Sequence, residues 1–196
     1  MLFRSPRRWR EALSGKGELD LSSVRLLSDA HYLWSPGTIA GNLTSFFASK
    51  AVRGRVDQVT GTDLPPALQN PAFKGKVYRL AELVIDVPSL IERLAELSGE
   101  SLLAGEKIEP LYAGQELTGL RVDGREIHAQ RVVLSAGAGN AELLKSMGVT
   151  FPIMQRRPLH MVMVKGPTLK PLYAHCLGAG PKPRVTVTTH PAADGQ

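Results

Sequence analysis

The feature that most constrains the fold is an apolar run that leads through five small residues into a helical pattern. Residues 126–147 read EIHAQRVVLSAGAGNAELLKSM. The small residues are Ser135, Ala136, Gly137, Ala138 and Gly139. We predict a short buried strand over 131–134, a tight turn, and a helix over 140–147 that Gly148 ends. Small side chains let a ligand approach the backbone, and a helix N-terminus favours phosphate, as in a dinucleotide crevice at a sheet edge.

The same turn is a defective form of the glycine-rich dinucleotide motif. Gly137 and Gly139 match the first two glycines of G-x-G-x-x-G, but Glu142 stands where the third belongs. A glutamate at that position crowds the packing of helix on strand and brings negative charge near a pyrophosphate. We therefore expect a secondary contact with a cofactor here, and a turn that binds no ligand is the alternative.

Helical and strand patterns alternate along the rest of the chain. One helix is expected to begin near Pro88 and to end at Gly99, with a buried apolar stripe. The stripe consists of Leu90, Ile91, Leu94 and Leu97. Asp123-Gly124 is a strong signal for a two-residue hairpin turn. Further helices are expected over 6–13 and 38–50, and strands over 24–34, 55–59, 76–80, 101–104, 107–112, 117–122, 126–130, 157–164 and 184–189. The mixture predicts an α/β chain of the α+β type.

The charge distribution and the cysteine content bear on nucleic-acid binding, disulfide formation and cellular location. The net charge is +6, but arginine is dense only in the first ten residues, and elsewhere both signs are interleaved. We expect a solvated basic surface and no nucleic-acid partner; the rival nucleic-acid reading would require steeply salt-dependent binding. The single Cys176 cannot form an intrachain disulfide. No apolar run reaches the roughly 18 residues of a membrane span. Because no apolar segment follows the basic N-terminus and the paired cysteines of a secreted scaffold are absent, we expect a cytoplasmic protein.

Four residues of the C-terminal part are candidate metal ligands. They are His160, His175, Cys176 and His190. Their spacing matches no structural zinc pattern, and scattered imidazoles arise easily in any sequence. Cys176 and His175 are neighbours that would point to opposite faces of a strand, so they do not form a thiolate–imidazole pair. We expect no metal site.

Four segments of the second half follow one another in a distinctive order. They read VIDVPSL over 84–90, EKIEPL over 106–111, GLRV over 119–122 and VVLSAGA over 132–138. Together they resemble the interior of the FAD-dependent oxidoreductases typified by D-amino-acid oxidase, glycine oxidase and sarcosine oxidase. The resemblance covers residues 84–166 and is loose over 1–80. Val87 separates an aspartate and a proline that are adjacent in the family, and Arg156-Arg157-Pro158 lacks the glycine of the family's Arg-Gly pair.

The resemblance implies that different parts of the chain belong to two different domains. Residues 81–153 would form part of the FAD-binding domain, while 1–80 and 154–196 would belong to a mostly antiparallel substrate-binding sheet. Ile108 would lie near the adenosine half of FAD, offering backbone hydrogen bonds, and the five small residues of the turn would line the cofactor crevice. Arg157 is a weaker candidate, for contact with a substrate carboxylate by its forked guanidinium, and a surface arginine with no ligand is the alternative. The enzyme would oxidise an amine, an amino acid or a hydroxy acid by hydride transfer to FAD.

Two signatures of that family have no counterpart in this sequence. One is the N-terminal strand, G-x-G-x-x-G turn and acidic ribose ligand, and the other is the C-terminal flavin-contacting segment. We therefore expect an interior fragment of a larger enzyme, which alone is inactive and binds FAD weakly or not at all. The alternative is a flavin-free binding or regulatory module on the same scaffold, which would melt cooperatively without responding to FAD.

Overall fold

The computed structural model describes residues 5–35, 56–155, 158–166, 170–177 and 183–190 and shows an α+β fold. The helices are α1 (Ser5–Leu13), α2 (Val87–Ser98) and α3 (Asn140–Ser146). The strands are β1 (Leu26–Ser28), β2 (His31–Ser35), β3 (Val56–Val59), β4 (Lys76–Leu80), β5 (Val84–Ile85), β6 (Ile108–Ala113), β7 (Glu116–Val122), β8 (Arg125–His128), β9 (Ala174–Leu177) and β10 (Pro183–Val187). The chain divides into a first unit, Met1–Ser98 with Val164–Gln196, and a second unit, Gly99–Met163.

A mixed five-stranded sheet carries the larger core of the first unit. Its order is β10-β9-β2-β4-β3, and β2 and β9 run parallel whereas the other neighbours are antiparallel. Alternate residues of β2 are buried, as expected for a strand with one face on a core. Leu33, Leu80 and Leu177 form the buried centre, with Val56 and Tyr78 packed against them.

A second, smaller core of the first unit lies beside α1. Ala12, Leu21 and Val24 are buried there, and Leu90 of α2 packs against them. The short strands β1 and β5 pair antiparallel next to this cluster. The predicted helices over 6–13 and from Pro88 are therefore confirmed, as are the predicted strands over 55–59 and 76–80.

Asp86 joins the start of α2 to the chain before β1. Its carboxylate Oδ2 accepts hydrogen bonds from Arg25 Nη2 at 2.8 Å and from the backbone N–H of Ser89 at 3.1 Å. The second bond is that of a helix N-cap, which explains why α2 begins at Val87. The Arg25 guanidinium, followed by the Ser89 N–H, holds the pKa of the buried Asp86 carboxyl below its ordinary value.

The prediction of a buried stripe on α2 is wrong for most of its members. Leu90 is half-buried on the first unit's small core, but Ile91 is 61% exposed, Leu94 39% and Leu97 43%. Helical periodicity identified a single apolar face correctly. It could not show that only one edge of that face packs on the described part of the chain.

The second unit is built on an antiparallel three-stranded sheet of order β6-β7-β8. Asp123 and Gly124 form the predicted hairpin turn with φ of 46° and 85°, the left-handed conformation that a type I′ turn requires. Gly119 of β7 faces the backbone of Ile127, and a Cβ at this position would overlap the Ile127 carbonyl oxygen. Helix α3 lies beside β6, where Tyr112 Oη donates a hydrogen bond to the carbonyl oxygen of Met147 at 3.1 Å.

The strands predicted over 101–104, 131–134 and 157–164 are absent from those residues of the three segments that the structure describes. Residues 101–104 follow a 3-10 turn at Gly99–Ser101 and then run irregularly, while 131–134 and 158–164 form no strand. Val133, predicted to be buried, is 86% exposed. A strand requires a ladder partner, and none is given to these segments within the described ranges. The predicted helix over 38–50 lies outside the described residues.

Candidate functional site

The small-residue turn of the second unit is organised by one amide side chain. Asn140 Oδ1 accepts a hydrogen bond from the backbone N–H of Ala136 at 2.8 Å, and Asn140 Nδ2 donates to the carbonyl oxygen of Leu134 at 3.1 Å. The amide thus holds both sides of the turn before α3 begins. Sequence reasoning assigned no role to Asn140, although an asparagine next to small residues is a common backbone-bonding residue.

The outer surface of this turn is open. All five predicted cofactor-contacting residues, 135–139, are exposed, and they form the segment that ends in the 3-10 turn Gly137–Gly139. Gly137 has a φ of 55°, which explains the glycine, yet a Cβ there would meet no atom within 4 Å. A Cβ at Gly139 would meet only that of Ala136, at 3.6 Å. A flat group could therefore lie in van der Waals contact with the main chain of the turn.

The turn fits a phosphate group less well. Its N–H donors are partly used internally, because Ala136 donates to Asn140, Gly139 to Ala136, and Asn140 to Gly137. Glu142 lies in the first turn of α3, where its charge opposes an anion. The turn is therefore less suited to an anion than to a flat uncharged group, in agreement with the defective glycine motif.

Ile108, the other predicted cofactor residue, is the first residue of β6 and is partly exposed. Among the described residues β6 has a neighbouring strand only on its β7 side, so its other edge can offer backbone hydrogen bonds. The strand start is held by Asp123, whose Oδ1 accepts from the Lys107 N–H at 2.8 Å and whose carboxylate also accepts from the Glu106 N–H. These two bonds lower the pKa of Asp123.

Both candidate segments belong to the second unit, and the Tyr112–Met147 bond ties β6 to the end of α3. That Ile108 and the turn bind a cofactor remains a prediction. The weaker candidate, Arg157, lies outside the described residues.

The structure pairs two histidines that sequence reasoning left apart. His31 of β2 and His175 of β9 have ring centroids 4.2 Å apart, because the parallel pairing of these strands places both rings on one face. His175 Nδ1 also contacts Thr186 Oγ1 at 2.8 Å. His31 is buried, and its burial, followed by the nearby His175, lowers its pKa to about 4. No signal in the sequence indicates this pair, since it depends on tertiary strand order.

The remaining candidate ligands are dispersed. His160 lies in the exposed irregular segment, and His190 Nε2 contacts Thr188 Oγ1 at 3.2 Å. Cys176 lies on the sheet face opposite to His175. In the part of the chain that the structure describes, three or more His, Cys, Asp or Glu side chains nowhere gather in a way that could hold a metal ion. Similarly, none of the described helices has the length and apolarity to cross a membrane.

These observations define an α+β chain with an open small-residue turn beside an antiparallel hairpin sheet. The chain is 74% identical over 191 residues, 97% of its length, to a Pseudomonas aeruginosa protein named "Probable FAD-dependent oxidoreductase PA4991". It also matches the crystal structure of FAD dependent oxidoreductase PA4991 from Pseudomonas aeruginosa with a TM-score of 0.82 and 64% identity over 99% of the chain. No family model matches it.

The matched region is about half of this relative. The chain covers 49% of the curated protein and 48% of the solved chain. It is therefore homologous, along nearly its whole length, to one half of a protein named as an FAD-dependent oxidoreductase. This likeness supports the coarser part of the resemblance seen in the sequence, the relationship to FAD-dependent oxidoreductases.

Proposed function

We propose that the chain is part of an FAD-dependent oxidoreductase whose full length is about twice its own. The observation that carries this proposal is the 74% identity to the Pseudomonas aeruginosa protein over 97% of the chain. At such identity the fold and the ligand-contacting positions of two proteins are normally retained. A cytoplasmic location, suggested by the single cysteine, is part of the proposal.

The proposed substrate is an amine, an amino acid or a hydroxy acid, as in the D-amino-acid oxidase family that residues 84–166 resemble. When bound, FAD would accept a hydride from the carbon that bears the nitrogen or oxygen. Residues 1–80 and 154–196 would supply part of the substrate-binding sheet, and residues 81–153 would supply part of the FAD-binding domain.

The role proposed for the second unit is to position the cofactor and exclude water from it. Residues 135–139 would let a ring of the cofactor lie against the main chain, and Asn140 would keep the turn in that shape. Ile108 would offer backbone hydrogen bonds from the free edge of β6 to the adenosine half. Support comes from the exposure of the turn, from the two hydrogen bonds of the Asn140 side chain within it, and from the hydrogen bond that Asp123 accepts at the start of β6.

A chimera tests the proposal as a whole. The matched residues of the Pseudomonas aeruginosa protein would be replaced by this chain, and the purified chimera would be examined for flavin absorbance. We expect bound FAD that is bleached by one class among amines, D- and L-amino acids and hydroxy acids, whereas this chain alone retains no flavin. A folded chimera that takes up no FAD would contradict the proposal and favour the flavin-free binding module.

Variants of the turn test the assigned site. Gly139 has helical backbone angles, with φ of −69° and ψ of −20°, so Gly139→Leu is tolerated by the main chain but covers the open surface. We expect it to weaken FAD binding by the chimera by roughly tenfold or more, equivalent to about 1.4 kcal/mol. Gln115→Leu, at the exposed β6–β7 turn, adds a similar apolar side chain away from the site and is the control. Equal affinity in both variants would remove the turn from the cofactor site.

A further inference from the structure

Helix α2 of the first unit has one continuous apolar face. Its members recur at intervals of three and four residues, as expected for the buried face of an amphipathic helix. They are Val87, Leu90, Ile91, Leu94 and Leu97. Glu92 and Glu96 point to the opposite side of the helix, so the division between apolar and polar surface is sharp.

Only one edge of this face is used within the described residues. Leu90 packs against the small buried cluster of Ala12, Leu21 and Val24. On the same flank, Arg93 Nε donates a hydrogen bond to the Asp20 carbonyl oxygen at 2.9 Å. These contacts fix the rotation of the helix about its axis.

With this rotation the other apolar side chains of α2 remain exposed. We define the outer face of α2 as Val87, Ile91, Leu94 and Leu97, all of which are exposed. Four apolar side chains on adjacent turns of one helix form a contiguous patch, and such patches in soluble proteins usually mark contact with another protein surface.

The length of the relative indicates what covers this patch. The chain matches 49% of the Pseudomonas aeruginosa protein at 74% identity, so a comparable length of polypeptide accompanies the matched half there. Within one chain, that second half is present at a high effective concentration. A second copy of the same half would have to bind in competition with it.

We use the term parent protein for the full-length protein, about twice as long as this chain, to which the chain is proposed to belong. We propose that the outer face of α2 is the docking surface for the half of the parent protein that this chain does not span. The inference depends on the homology and on the exposure of the face, and it does not require that the parent binds flavin.

The first test uses two polypeptides. This chain would be co-expressed with the residues of the Pseudomonas aeruginosa protein that lie outside the match, joined by a flexible linker into one polypeptide if they lie on both sides of it, and the affinity of the pair would be measured after purification. We expect a one-to-one complex that Ile91→Lys weakens by about tenfold or more, because a lysine in the centre of an apolar contact must be desolvated. Glu92→Lys, on the opposite side of α2, introduces the same side chain and should leave the affinity unchanged.

The second test uses the intact chimera, in which both halves are covalently joined. Ile91→Lys should lower the thermal midpoint of the chimera but leave that of this chain alone unchanged, since Ile91 is already exposed in it. Glu92→Lys should change neither. The thermal midpoints report on the interface whether or not flavin is bound. The result is therefore independent of whether the proposed function is correct.

Three results would overturn the proposal. One is equal binding and equal chimera stability for Ile91→Lys and Glu92→Lys. Another is the absence of any complex between the two halves, together with a chimera that is insensitive to Ile91→Lys. The third is a dimer of this chain alone that Ile91→Lys converts to a monomer, which would assign the face to a second copy.

Discussion

The buried His31 should make the stability of the first unit depend on pH. The residue is only 8% exposed, and its ring lies 4.2 Å, centroid to centroid, from that of His175. A proton on His31 would be desolvated, and it would be repelled by any charge on His175. These effects lower the His31 pKa from 6.5 in an unfolded chain to about 4 in the fold.

The sign follows from the protons that each state binds. Between pH 6.5 and about pH 4 the unfolded chain binds a proton on His31 and the folded chain does not. Stability is therefore complete above pH 6.5, falls as the pH is lowered through this window, and levels off below it. One pH unit corresponds to about 1.4 kcal/mol, so the window from pH 6.5 to about 4 corresponds to about 3.5 kcal/mol at most.

Urea unfolding followed by far-UV circular dichroism, at several values from about pH 7.5 to about pH 4.5, measures this loss. His31→Leu keeps the apolar packing but removes the titrating group, so its unfolding free energy should be nearly constant over that range. His160→Gln, at an exposed histidine, is the control and should retain the wild-type slope. A slope in His31→Leu equal to that of the wild type would refute the assignment to His31.

Other substitutions test the two cores and the helix cap. Leu33→Ala, at a fully buried position of the five-stranded sheet, should lower the free energy of unfolding by roughly 2–5 kcal/mol, measured in urea. Gly119→Ala should cost about 2 kcal/mol or more and weaken amide-exchange protection in β7 and β8, because its Cβ would collide with the Ile127 carbonyl oxygen. Asp86→Ala should lower the thermal midpoint by roughly several degrees, because α2 loses its N-cap and Arg25 loses its partner; an unchanged midpoint would show that this network does not stabilise the fold.

Local sequence signals determined several elements of the fold. The Asp123-Gly124 hairpin depends on two residues that must adopt left-handed angles, and the structure has both. Helix α2 begins where an aspartate cap precedes a proline, and α3 ends before Gly148, whose φ is 68°. Each signal involves residues within a few positions of one another, so no knowledge of distant partners is needed to read it.

The candidate cofactor site was predictable in part for the same reason. Small residues followed by a helical pattern predict a turn over 135–139, and the structure has a turn there, directly before α3. Its support by Asn140 was missed, although the interaction is local. The preceding segment 131–134 was misjudged as a buried strand, because an apolar composition does not reveal whether a ladder partner is available.

Sequence by itself thus determined the Asp123-Gly124 hairpin, the start of α2 and the end of α3, and it showed the resemblance to FAD-dependent oxidoreductases. Tertiary structure alone decided that β2 and β9 run side by side, which brings His31 to His175, and that Leu90 is packed while Ile91 is exposed. The physical reason is that backbone conformation is governed largely by neighbours along the chain. Burial and the pKa of a buried ring depend instead on which distant segments meet.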